Sequence, residues 1–242
     1  MWSLDTDRLC FWADGLVADL SASESWHLLF ATGESFSLST GEREWPALGA
    51  AIVPPETAFS LAPRGSIFGL ALSKHSRWAA PLAERLGNIG PYPLHREDYA
   101  PYAKRLIRHA RDNHSAQISA EQLGELTWGL TGQAPRSLST ADAGFRYWLH
   151  ALRARLEAPP SPEAAADELQ LSPAEFDEHF AACVGQAFGD YLRGLALKRV
   201  WEDQQAGADV PQAIRLAGFA GPKAFRRAFQ ARTGYAYGWF RD

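Results

Sequence analysis

Between Val210 and Gly234 the chain reads VPQAIRLAGFAGPKAFRRAFQARTG. Val210, Ala213 and Ile214 share one helical face, and Phe225, Ala228 and Phe229 share another at i, i+3 and i+4. Gly218 between them predicts a sharp turn, because a residue without Cβ takes left-handed backbone cheaply. Phe219 is expected to fill the angle. With the Phe225/Phe229 stripe turned inward, Lys223, Arg226, Arg227 and Gln230 must point outward. Ammonium and guanidinium groups donate to guanine N7 and O6, and an amide matches adenine. A short helix so decorated therefore suits the major groove of duplex DNA. Lys223 and Arg226, in the first two turns, are expected on base edges, and Arg227 on a base or the adjacent backbone. Gln230, Arg232 and Arg241 are expected on phosphates, which position without specifying. Pro222 fits a first helical turn, where its missing N–H costs little.

The charge distribution agrees. The 242 residues sum to −4, but 191–242 carry nine Lys or Arg against four Asp or Glu, a local +5. Residues 145–190 carry three against eight, a local −5, and 1–144 hold the remaining −4. Attraction to phosphate follows the local charge, so only the last fifty or so residues qualify.

The same stretch resembles the second helix-turn-helix of the AraC family of transcription regulators. The family's apolar helix, Gly-Phe turn, Arg-x-Phe, Gly and closing aromatic-Arg appear as Gly218-Phe219, Arg227-Ala228-Phe229, Gly234 and Phe240-Arg241. Upstream, LSPAEFDEHFAACVGQAFGDYLRGLALKR resembles the first recognition helix and the linker helix through Leu171, Ser172, Phe176, Phe180, Gly185, Tyr191, Leu192 and Leu197. The resemblance covers about 145–242 and implies a double helix-turn-helix. Short helices are expected at about 161–169, 172–183, 210–216 and 221–232, with a long one at about 189–206.

The first unit departs from the pattern. Glu178 stands where the family has Arg, with Ala174, Glu175 and Asp177 beside it, and Ala196 replaces an Arg of the linker helix. Carboxylates facing phosphates are repelled, and each missing cation removes a counterion-release contribution. The first unit is thus read as a weak reader, a partner contact or a structural support. Arg193, Lys198 and Arg199 on the long helix are read as a solvated face.

Residues 4–78 show short apolar runs broken by Gly, Pro and Ser every eight to twelve positions, as in an all-β barrel or sandwich. Ser35–Ser39 alternates as a half-buried strand should. Helical spacing begins near Pro81. Ser119 and Gln122 suggest a capping box, and 131–144 is rich in turn formers, as an interdomain linker is. The fold expected is α+β in two domains: 1–130 a sensor and dimerisation domain (barrel about 4–78, helices about 81–130), and 145–242 all-α.

A barrel followed by helices resembles the family's cupin-like sensor domain. That resemblance implies an effector pocket lined by Trp12, Trp26, His27, Phe30, Phe36, Phe59 and Phe68, although ordinary core packing accounts for the same residues. No cluster of Arg or Asp points to an anionic or sugar effector. His27 and His75 make no convincing metal site, and His109 and His114 fall on different helical faces. Hence no metal and no cofactor is expected. No G-x-S-x-G, P-loop or Cys/His/Asp nucleophile constellation occurs, and Asp98-Tyr99 and Glu121-Glu125 read as helix-surface charges, so no enzyme is expected.

Cys10 and Cys183 are too few for a disulfide framework. No secretory leader and no apolar run of about eighteen residues is found, so a cytoplasmic protein without membrane contact is expected. The family resemblance implies double-stranded DNA, a homodimer, a small-molecule effector and an RNA polymerase contact as partners. Two further readings stay open: a degenerate relative acting through protein contacts as an anti-activator, and a small-molecule sensor that does not bind DNA.

Overall fold

The computed structural model describes residues 1–87, 89–112 and 116–240. The chain forms two compact units, one of Met1–Leu4, Arg8–Pro135 and Phe229–Asp242, the other of Asp5–Asp7 and Arg136–Ala228. One division falls between Pro135 and Arg136. The one after Ala228 falls inside a helix, where no turn-former marks it.

The first unit is built on two antiparallel sheets. The larger has the order β1-β2-β9-β4-β7-β10, from Trp2–Leu4, Arg8–Asp14, Ser66–Ser73, Ser25–Ala31, Ala50–Val53 and Tyr92–Pro93. The smaller has the order β3-β8-β5-β6, from Ala18–Leu20, Phe59–Pro63, Phe36–Ser39 and Glu44–Leu48. The expected barrel is not closed, since each sheet keeps two edge strands. Strand β10 lies beyond the expected strand region. Two residues are too short a run for periodicity to reveal, and they are held by pairing with Ala51 and Ile52 of β7.

Strand β4 is central, paired with β9 on one side and β7 on the other. Both of its faces are covered, so Ser25 to Phe30 are all buried. Strand alternation sorts the side chains. Trp26, Leu28 and Phe30 pack with Phe68, Leu70 and Leu72, and with Leu82, Ala103, Leu106, Leu123 and Leu126 from helices α1 (Ala80–Leu86), α2 (Arg96–Asp112) and α3 (Ala120–Thr131). Helix α3 begins with the expected Ser119/Gln122 capping box.

The opposite face of the large sheet carries Phe11 and His27 and is covered by the end of the chain. Tyr235 meets Phe11 at 4.9 Å and His27 at 5.4 Å between ring centroids, and Phe240 meets Trp2 at 5.1 Å and Phe11 at 5.8 Å. Burying each such ring stabilises by about 1.5–3 kcal/mol.

The second unit is helical: α4 (Ala143–Leu152), α5 (Pro162–Glu168), α6 (Pro173–Val184), α7 (Phe188–Gln205), α8 (Val210–Leu216) and the start of α9 (Pro222–Thr233). Boundaries follow local chemistry. Asp142, Ser161, Ser172 and Asp209 accept backbone N–H groups as N-caps, and Gly185 ends α6 in left-handed backbone. Its core packs Phe145, Trp148, Phe176, Phe180, Phe188 and Tyr191.

Candidate nucleic-acid interface

Helices α8 and α9 make the turn that the sequence suggested. Ile214 is 2% and Phe225 1% exposed. Gly218 has φ +83°, and a Cβ there would be driven into the Leu156 carbonyl, so the position requires glycine on both counts. The Phe219 N–H donates to the Ile214 carbonyl at 3.1 Å, and its ring stands edge-on to Phe225 at 5.4 Å. Lys223, Arg226 and Arg227 are exposed, and no acid lies in the first turn of α9. That turn carries the positive end of the helix dipole, which adds to the attraction for phosphate.

The other residues expected on DNA are placed differently. Gln230 is exposed, with its amide donating to Ser21 Oγ at 3.3 Å. Arg232 is only 6% exposed, away from the solvent that a phosphate contact needs. It follows Phe225 and Phe229 by seven and three positions, so helical spacing alone puts it on the buried stripe. Arg241 lies outside the described residues, as does His114.

The linker-helix cations are engaged within their own unit. Arg193 bonds Asp190, Lys198 reaches Asp5 at 2.9 Å, and Arg199 bonds Asp203 at 2.8 Å.

The acids of the first helix pair have identifiable work. Glu175 accepts from Ser172 N–H at 2.9 Å and Ser172 Oγ at 2.6 Å, closing a capping box, and those bonds hold its carboxyl below the usual range. The Ser-x-x-Glu spacing carried this signal, and reading Glu175 as a groove-facing acid missed it. Glu168 accepts two bonds from Arg155 at 2.7 Å and one from Trp148 Nε1 at 2.6 Å. The Arg155 guanidinium first, and then the indole, hold its pKa at about 2. Glu178 remains, lining with Tyr147, Trp148, Glu168 and His179 a cleft of about 940 Å³. Asp142 and Glu175 also line it, which makes four acids against the one guanidinium of Arg155.

The residues expected to line an effector pocket are packed as core. Trp26, His27, Phe30, Phe36, Phe59 and Phe68 are at most 3% exposed, and Trp12 packs on the cluster from its edge. His27 Nε2 is 3.0 Å from Ser23 Oγ, and its ring meets Phe59 at 5.1 Å. Burial drives its pKa from 6.5 to about 3, so the imidazole is neutral. Gly234, at φ +78°, leaves no room above it: a Cβ there would lie 3.0 Å from His27 Cε1. Among the described residues no group of three or more His, Cys, Asp or Glu is placed to hold a metal ion, and no helix is long and apolar enough to cross a membrane.

A cleft of about 600 Å³ runs between α2 and the β4–β5 turn, lined by Arg96, Tyr99, Lys104, Arg108 and Arg111 on one wall. The cation cluster that the sequence did not disclose is therefore present.

Paired short helices joined by a Gly-Phe turn, with cations on the outer face of the second, define a helix-turn-helix unit of the kind that binds DNA. Residues 165–242 match the profile of a family described as a helix-turn-helix domain, and this C-terminal part of the chain is a helix-turn-helix of the AraC type. That match supports a role in DNA-binding transcription regulation for this part of the chain.

No curated protein matches the chain. Solved structures similar to it include ToxT from Vibrio cholerae with a bound unsaturated fatty acid, 10% identical, covering 100% of this chain and 97% of that one at a TM-score of 0.48. ToxT bound to (E)-4-(8-methylnaphthalen-1-yl)but-3-enoic acid is 10% identical, with coverages of 97% and 98% and a TM-score of 0.48. The AraC-like transcriptional activator CuxR is 13% identical, with coverages of 87% and 82% and a TM-score of 0.38.

Proposed function

We propose that the protein is a sequence-specific transcription regulator that reads the major groove chiefly with helix α9, under the control of a small molecule held by the N-terminal unit. The observation that carries this reading is the exposed set Lys223, Arg226 and Arg227 on a short helix fixed by buried Phe225 and Phe229. Lys223 and Arg226 take base edges in this scheme, and Arg227 a base or the neighbouring backbone. Gln230 and Arg241 meet phosphates. The protein works as a cytoplasmic homodimer, for which the 54% exposed Trp128 of α3 offers an apolar anchor. Two α9 helices would then engage two half-sites and gain by avidity.

The test is a selection from random duplexes by the full-length protein at two salt concentrations. An enriched motif is expected, lost in the Lys223→Ala/Arg226→Ala variant. The log–log salt slope should also flatten by about 0.9 for each phosphate contact removed. Absence of any enrichment at low salt overturns the reading.

The acid-walled cleft beside α6 favours a second reading, in which the first helix pair contacts a protein such as RNA polymerase. Under that reading Lys223 and Arg226 could be replaced without effect on transcription, while Glu178→Lys would abolish the response.

A further inference from the structure

We propose that the cleft between α2 and the β4–β5 turn is a binding site for a small organic phosphate carrying more than one negative charge. This goes beyond the regulatory reading above and does not depend on it.

The α2 wall is a single helical stripe, in which positions 96, 99, 100, 103, 104, 107, 108 and 111 recur at three- and four-residue intervals. Arg96, Lys104, Arg108 and Arg111 supply four cations along it, and no Asp or Glu is among the described residues that line the cleft. The facing wall, with Thr32, Gly33, Ser35 and Gly49, is small and neutral. Arg105, one position off the stripe, is satisfied by Glu125 at 2.6 Å. Arg111 has Asp112 beside it at 3.4 Å. Arg96, Lys104 and Arg108 have no carboxylate within ion-pair distance among the described residues.

Like charges at i, i+4 on a helix repel, and Lys104 and Arg108 stand in that relation on the cleft side. Nothing else in the cleft offsets this repulsion, and an anion seated there would do so. Ala100, Ala103, Ile107 and Leu94 make part of the floor apolar, and Tyr99 has its hydroxyl pushed up in pKa by burial. Such a floor suits an organic body better than a bare ion.

Phosphate fits better than carboxylate. Lys104, Arg108 and Arg111 span about 10 Å of helix at 1.5 Å per residue, a run matching two or three successive phosphate groups. Guanidinium forks bond phosphate oxygens in pairs. The cleft volume of about 600 Å³ lies within the range of small-molecule sites.

The test uses full-length protein without DNA and follows thermal unfolding and calorimetric titration. The probes are inorganic phosphate, pyrophosphate, ATP, a sugar bisphosphate and citrate, with a short duplex as a separate arm. A saturable rise in Tm is expected with at least one organic phosphate, and weaker binding of inorganic phosphate and citrate. Lys104→Gln/Arg108→Gln should raise that Kd at least tenfold while keeping the ligand-free Tm at or above the parent value, since a repulsion is removed. Arg96→Gln should weaken it separately, and Arg43→Gln, in the β5–β6 turn, should not. Failure of every organic phosphate to bind overturns the proposal, as does an unchanged Kd in the double variant. A response of the double variant to duplex alone also overturns it. DNA selection is scored independently, so the two readings fail separately.

Discussion

Ser25 Oγ donates to the main-chain carbonyl of Arg232 at 2.6 Å, and Glu24 N–H donates to the Ala231 carbonyl at 2.9 Å. The last turn of a helix leaves carbonyls without partners inside the helix. Here the start of β4 supplies the donors for α9. Ser25→Ala should leave a buried carbonyl short of its donor and lower the unfolding free energy by about 1–2 kcal/mol. Urea denaturation measures this, and an unchanged midpoint would mean that another donor replaces the hydroxyl.

A pH dependence follows from His27. Its folded pKa is depressed to about 3 from 6.5, so between those values the unfolded chain binds the extra proton. Stability is full above about pH 6.5 and declines as pH falls below it. The decline attributable to this group is about 1.4 kcal/mol at pH 5.5 relative to neutral pH. His27→Gln, which keeps a polar neighbour for Ser23, should flatten the acid limb of a stability–pH curve between about pH 6.5 and 4. A variant as acid-sensitive as the parent would assign that limb to other groups.

Gly194 sits within α7, where glycine is normally the poorer choice and alanine gains about 1 kcal/mol. Its flank, however, lies against the backbone of Thr6, and a Cβ would be driven into the Thr6 carbonyl. Gly194→Ala should therefore destabilise by about 1–3 kcal/mol through overpacking. Gly189, in the same helix with no neighbouring atom within 4 Å of its Cβ position, is the control and should be neutral or stabilised on the same change. Equal behaviour of the two would refute the close approach.

Much of the helical structure could be read from the chain, because helix ends and turns depend on neighbours a few positions away. Ser119 with Gln122, Asp209 before α8 and Gly218 at the turn each act within five residues. The open sheets could not be read, since strands β4 and β9 meet across forty positions, and alternation within a strand does not say which partner it takes. The α2 cations were hidden for a similar reason. They are scattered among Glu97, Asp98 and Asp112, and only the side of α2 that packs on the sheet decides which of them share a cleft. Arg232 was legible in principle. Its interval from Phe225 and Phe229 marked it as inward-facing, but its charge suggested DNA.

The cover over Phe11 and His27 comes from Phe229–Phe240, which is made after every strand it covers. At about 5–20 residues per second, the roughly hundred residues between α3 and that cover take about 5–20 s to synthesise. Through this interval the growing polypeptide carries a finished but half-bare sheet, with aromatic and aliphatic side chains open to any holdase or neighbouring nascent chain. Removing residues 229–240 would prolong that exposure indefinitely, so such a deletion would register as aggregation during expression.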